Sequence, residues 1–178
     1  MTRWALVLAS GLALSACVAS TPPAPARPAG PVTLTPVDGP GLMRLIRARK
    51  APLTLVNVWA TWCAPCVAEL PDVLATAREY APKGLALVLV STDAPAAQPE
   101  ARALLESLQA PLPTYVKEGS DEAFITALHP EWNGTLPATF LYAPDGACVG
   151  YFEGELDRDA LHEILSAAEW SAAPEESP

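Results

Sequence analysis

The run Leu53–Trp59 is apolar on both faces and leads directly into two cysteines separated by two residues, Cys63 and Cys66, where a helical pattern begins. No other feature limits the fold so tightly. A strand that is apolar on both faces reads as a central strand of a parallel sheet covered by helices. Leu85–Val90 reads the same way. Between the two runs, the spacing predicts a helix that starts at the cysteines, with Val67, Leu70, Leu74 and Ala77 as its inward stripe. Pro71 lies inside that helix and predicts a kink, because proline removes a backbone donor.

Around this unit the chain alternates. Val32–Val37 reads as a short first strand. After the turn Gly39-Pro40-Gly41, residues Leu42, Leu45 and Ile46 repeat at helical spacing up to about Pro52. A second helix is expected from Pro99 to Gln109, with Leu104, Leu105 and Leu108 inward, and a weaker one over Glu122–Leu128. Thr139–Ala143 and Ala147–Phe152 flank Pro144-Asp145-Gly146 and read as a hairpin, followed by a closing helix over Leu156–Trp170. Strand, helix, strand, helix, then hairpin and helix is a thioredoxin-like order.

The cysteine spacing lets the two side chains close a reversible disulfide when a helix begins at the first. A helix N-terminus presents unpaired N–H groups and partial positive charge, which stabilise a thiolate on Cys63. Cys63 is therefore the expected nucleophile. It attacks a substrate disulfide, and Cys66, one turn further in, attacks Cys63 to release the product. Three blander readings stand beside this one: half of a zinc site, a structural disulfide and two buried thiols. Zinc needs four ligands, yet there is no second such pair, and His129 and His162 sit in unrelated segments. A structural disulfide across so short a loop stabilises little. Glu69 falls three residues after Cys66 on nearly the same helical face, which places a carboxyl near the buried thiol.

The stretch Asn57-Val58-Trp59-Ala60-Thr61-Trp62-Cys63-Ala64-Pro65-Cys66-Val67-Ala68-Glu69-Leu70-Pro71 resembles the TlpA/ResA-like branch of the thioredoxin superfamily, as does Gly134-Thr135-Leu136-Pro137-Ala138-Thr139-Phe140-Leu141. The resemblance spans residues 33–170. It implies an α/β thioredoxin-like fold, a central mixed sheet with helices on both faces. It also implies a cis Pro137 facing the cysteine pair, so that a substrate segment lies against Leu136. Glu69 would shuttle the proton of Cys66, since burial raises a carboxyl's pKa. Trp62 would shield the pair and offer a contact surface. By the same resemblance the protein is a thiol:disulfide oxidoreductase, more a reductase than an oxidase, with no cofactor and no metal. Its partners would be oxidised exported proteins, apocytochrome c among them, and a membrane thiol transporter as electron donor.

The start of the chain says where this chemistry takes place. Arg3, the apolar run Trp4–Leu14 and small residues after it read as a signal peptide over residues 1–16. The run is too short for a permanent span, which takes about 20 apolar residues. Leu14-Ser15-Ala16-Cys17 resembles the lipobox of bacterial lipoproteins, which implies a lipidated Cys17. Export with a lipid anchor, facing the periplasm or the cell exterior, is the expected location. Val18 and Ala19 lack the aspartate of inner-membrane retention and favour an outer membrane. Residues 17–32 form a Pro/Ala-rich tether, 33–170 the domain and 171–178 a polar acidic tail.

A net charge of -9 excludes nucleic acid as a partner, since phosphate binding needs clustered Lys and Arg. Trp132 reads as packing rather than groove, His129 and His162 as satisfied polar residues, and Cys148 as a small buried hydrophobe. The rival functions are an oxidase or isomerase of the same fold, a non-enzymatic copper-binding thioredoxin-like lipoprotein, and a peroxidase. Copper carriers of that group place three residues between their cysteines. A peroxidase needs a lone peroxidatic cysteine in its own loop.

Overall fold

The computed structural model describes residues 31–168 and Trp170. The expected signal peptide, Cys17, the expected tether up to residue 30 and the expected tail over 171–178 lie outside the described residues.

Six strands form one sheet: β1 (Leu34–Val37), β2 (Leu53–Trp59), β3 (Leu85–Ser91), β4 (Thr114–Lys117), β5 (Ala138–Tyr142) and β6 (Cys148–Glu153), in the order β1-β4-β3-β2-β5-β6. The first four are parallel, while β5 runs antiparallel to both β2 and β6. The helices are α1 (Gly39–Arg49), α2 (Ala64–Tyr80), α3 (Gln98–Ser107), α4 (Asp121–Leu128) and α5 (Arg158–Ala167). One apolar layer joins Leu55, Leu70, Leu74, Leu105, Leu161 and Leu165 beneath α2, α3 and α5. The other joins Val56, Val58, Leu42, Ile46, Phe124 and Phe140 beneath α1 and α4. The period-two alternation of β2 thus divides its side chains between two cores, and each fully buried aliphatic side chain contributes roughly 1.5–3 kcal/mol. This is the thioredoxin-like mixed sheet with helices on both faces.

Parallel order gives the sheet two unlike ends. Cys63 follows the C-terminal end of β2, whereas the chain enters β1 at the opposite end, where the Val32 N–H donates to Glu106 Oε1 at 3.1 Å.

Several boundaries depart from the sequence reading. The buried positions of α2 are Cys66, Glu69, Leu70, Val73, Leu74, Thr76, Ala77 and Tyr80, so the inward face keeps Leu70, Leu74 and Ala77 but is wider than expected, and Val67 is only partly buried. Polar Glu69 and Thr76 carry no hydrophobic signal, which hid its full width. α2 continues through Pro71, whose exposed ring removes the bond the Val67 carbonyl would accept. Leu105 alone of the three α3 leucines is fully buried. The closing helix is shorter than expected: Asp157 caps it, accepting from the Ala160 N–H at 2.8 Å, and it ends at Ala167, with Trp170 folding back to stack on Tyr80. β4 has no counterpart in the sequence reading, being four residues long and directly behind Pro111 and the cis Leu112–Pro113 bond.

The two helices of the second layer meet at Gly39, where an added Cβ would lie 2.6 Å from Ala127 Cβ and 3.0 Å from the Ala123 carbonyl. Gly39→Ala is expected to cost about 1–3 kcal/mol, since α1 and α4 must part to admit the methyl group. Urea unfolding of the two proteins measures the difference.

Candidate active site

β2 delivers the chain to Trp59 and Ala60, both fully buried, and the next turn is held from β3. Asp93, itself buried, accepts from the Thr61 N–H at 3.1 and 3.2 Å, from the Thr61 hydroxyl at 2.6 Å and from the Ser91 hydroxyl at 2.7 Å. The Thr92 N–H donates to the Trp59 carbonyl at 2.8 Å. The loop that carries the cysteines is therefore fixed to the neighbouring strand at two successive residues. Sequence reasoning missed Asp93, although an aspartate directly after a buried strand was a visible signal.

Cys63 is the N-cap of α2, with its Sγ accepting from the Cys66 N–H at 3.3 Å. The two sulfurs are bonded at 2.05 Å with their Cα atoms 5.2 Å apart. Cys63 retains 6% exposure and Cys66 none, so an incoming group reaches Cys63 first. Next to it Trp62 stands 69% exposed, an open apolar surface at the mouth of the site. Partial positive charge at the start of α2 acts on the Cys63 sulfur, which is where a thiolate would be generated.

The Leu136–Pro137 peptide is cis, as the resemblance implies. Pairing of Ala138 with Val58 brings Pro137 to the same end of the sheet as the cysteines, and Leu136 packs against the cluster that contains them. The Pro137 carbonyl accepts from the Gly154 N–H at 2.9 Å, which joins this corner to the end of β6. Cys63, Cys66, Trp62, Leu136 and Pro137 are thus brought to one end of the fold.

Glu69 is 1% exposed. Its Oε1 accepts from Asn57 Nδ2 at 2.7 Å and its Oε2 from the Leu156 N–H at 2.9 Å. Asn57 Nδ2 also donates to Thr139 Oγ1 at 3.1 Å, across the β2–β5 pair that sets the two residues opposite one another. Burial pushes the Glu69 carboxyl above its usual range. The hydrogen bonds from Leu156 and Asn57 oppose that shift and the nearby Glu155 charge adds to it. A buried carboxyl whose surroundings favour its protonated form, with no cation paired to it among the described residues and one helical turn beyond Cys66, suits proton transfer. In the sequence, Asn57 and Thr139 stand out only as members of the two motifs. Their alternation onto the α2 face was the available signal for a role at the site.

The other polar candidates lie apart from the pair. Trp132 is buried, edge-on to Phe124 and Phe140, with its Nε1–H donating to the Thr135 carbonyl at 2.9 Å. His129 stacks on Tyr151, and His162 meets the Tyr80 hydroxyl and Glu79. Cys148 is only half-buried, not fully inside as expected. It donates to the Gly150 carbonyl, and burial pushes its thiol up, which leaves it a poor nucleophile. Among the described residues, no group of three or more His, Cys, Asp or Glu side chains is placed to hold a metal ion.

Comparison with known proteins places this arrangement. The AhpC/TSA family matches residues 31–149. The thiol-disulfide oxidoreductase ResA of Oceanobacillus iheyensis is 29% identical over 135 residues, which is 76% of this chain and 60% of the relative. The match therefore spans less than two thirds of that relative's length. The thioredoxin-like protein YneN of Bacillus subtilis is 34% identical over 117 residues, 65% of each chain. A thiol:disulfide interchange protein of the thioredoxin family from Chlorobium tepidum superposes with a TM-score of 0.57 at 22% identity, covering 68% of this chain and 82% of that one, which shows a shared fold.

Raised titration of Glu69 has a sign that stability measurements can read. A carboxyl whose folded pKa exceeds its unfolded one contributes fully below the unfolded value, and that contribution is lost as pH rises through the folded value. Glu69→Gln should therefore be less sensitive to rising pH than the native chain in that window. Denaturant midpoints of both proteins from about pH 4 upward test it; parallel curves would refute a raised carboxyl.

Proposed function

The chain belongs to the AhpC/TSA family and has the thioredoxin fold; on that premise we propose that it is an exported, lipid-anchored thiol:disulfide oxidoreductase acting as a reductase. The observation that carries the proposal is the Cys63–Cys66 disulfide capping α2, with Cys63 at the rim beneath exposed Trp62 and beside the cis Pro137 corner. A pair closed in this way favours disulfide exchange over a peroxidase, which needs a lone peroxidatic cysteine in its own loop.

In the reduced protein, the Cys63 thiolate attacks one sulfur of a substrate disulfide. A mixed disulfide forms, and the first substrate thiolate leaves. Cys66 then gives its proton to the Glu69 carboxylate and attacks the Cys63 sulfur. The second substrate thiolate is released and the Cys63–Cys66 bond closes. Two electrons pass from the dithiol to the substrate, and a dithiol donor restores the pair. Oxidised exported proteins, apocytochrome c among them, are the proposed substrates, and a membrane thiol transporter is the proposed donor. The sequence resemblance supports both. The lipobox at Cys17 supports the anchor, and the sequence after it supports an outer membrane facing the periplasm.

Insulin reduction by the native chain should depend on Cys63, with Cys63→Ser abolishing turnover and Cys66→Ser accumulating the mixed disulfide. Cysteine-independent turnover, or none at all, would sink the oxidoreductase reading. Direction is read from the potential: a reductase should lie nearer thioredoxin's value of about -270 mV than the roughly -120 mV of a strong oxidant such as DsbA. Mass spectrometry of the mature protein should find acyl chains on Cys17, and an unmodified residue would remove the anchor.

A further inference from the structure

The least explained atom at the site is Asn57 Oδ1. Asn57 is fully buried, and while its Nδ2 donates to both Glu69 Oε1 and Thr139 Oγ1, its Oδ1 has no partner. A buried amide with two bonds at one end and none at the other is well placed to turn over. A half-turn of the amide puts Oδ1 where Nδ2 stood. In that position it can accept from a protonated Glu69 and from the Thr139 hydroxyl, which changes from acceptor to donor. The number of hydrogen bonds is the same in both arrangements, and one end of the amide is unpartnered in each. The orphan is a carbonyl in one arrangement and an amino group in the other, and protonation of Glu69 shifts the balance between them.

We propose that Asn57 is a positioning residue for the redox reaction, its buried amide donating to the Glu69 carboxylate and turning over to accept from the Glu69 carboxylic acid. The proposal rests on reading Glu69 as the proton carrier for Cys66. On that reading Glu69 must exist in both forms within each cycle, in an interior where an unmatched group costs about 1–3 kcal/mol. A fixed donor such as lysine would hold Glu69 charged, and an apolar neighbour would hold it neutral. An amide serves both forms. Groups facing Glu69 from the packed elements are neutral Asn57 on β2, neutral Thr139 on β5 and the Leu156 N–H after β6, with Glu155 the charged neighbour. Along its own helix the ionisable side chains are the partly exposed Asp72 and, further along, Arg78, Glu79 and Tyr80, with Cys63 and Cys66 held in the disulfide.

The test is a nuclear magnetic resonance titration of the full chain in the disulfide state, following the Glu69 carboxyl carbon and the Asn57 side-chain amide. Both should move with one shared midpoint. An Asn57 amide that stays constant while Glu69 titrates overturns the proposal. Asn57→Leu should raise the Glu69 midpoint by about 1–2 pH units, the loss of one hydrogen bond to a charged group. Asn57→Asp should instead split the titration into two steps, as two adjacent carboxyls share one proton. An unchanged midpoint in a folded Asn57→Leu protein also overturns it, and if that variant does not fold, the wild-type titration decides. No substrate is present in this measurement. Loss of insulin turnover with an intact shared titration would therefore count against the oxidoreductase reading and not against the amide.

Discussion

The central constraint is the burial of β2 on both faces and both edges. It pairs with β3 along its whole length and with β5 over five residues, and every one of its side chains is buried. That position determines the rest. It sets the point where the chain leaves the sheet at Trp59, the start of α2 at Cys63, and the strand against which Pro137 must lie. Because β5 is held antiparallel to β2, its first residue rather than its last lies at the redox end. Residues about 70 positions apart in sequence thus converge without any contact specific to the pair.

Much of this was legible because apolar periodicity is a strong signal for long or fully buried elements. β2, β3, the hairpin and α2 all announce themselves in this way. β4 did not, since four residues behind two prolines carry almost no pattern and are ordered by the neighbours β1 and β3 on either side. The cysteine pair, Glu69 and Pro137 could be located from spacing and resemblance. Asn57, Thr139 and Asp93 were not singled out, because what they do depends on partners across the sheet. Asn57 meets a helix twelve residues later and a strand eighty-two residues later. The α2 stripe was read too narrowly for a related reason: beside Leu70, Leu74 and Ala77 its inward face holds a glutamate and a threonine, and a hydrophobic pattern passes over both.

Those same polar residues run against the chemistry of a core. A carboxyl at 1% exposure, an amide with one bare end and a threonine beneath the helix each work against stability, and all three sit within the layer that carries the cysteines. Departures from local rules of this kind concentrate at sites where a group must change state during work, and the surrounding apolar shell holds them in place. Asp93 is the contrasting case. Its side chain accepts from the Thr61 N–H and hydroxyl and from the Ser91 hydroxyl, and so anchors the loop.

The unlike ends of the sheet also give the molecule a reach. Since the chain joins β1 at the end opposite Cys63, residue 31 and the cysteine pair lie at opposite poles of the sheet. Measured along β2, seven residues at about 3.3 Å each, the two ends of the sheet stand roughly 23 Å apart. On the proposed lipid anchor, attachment through residue 31 would therefore present the cysteine pair at the pole turned away from the membrane.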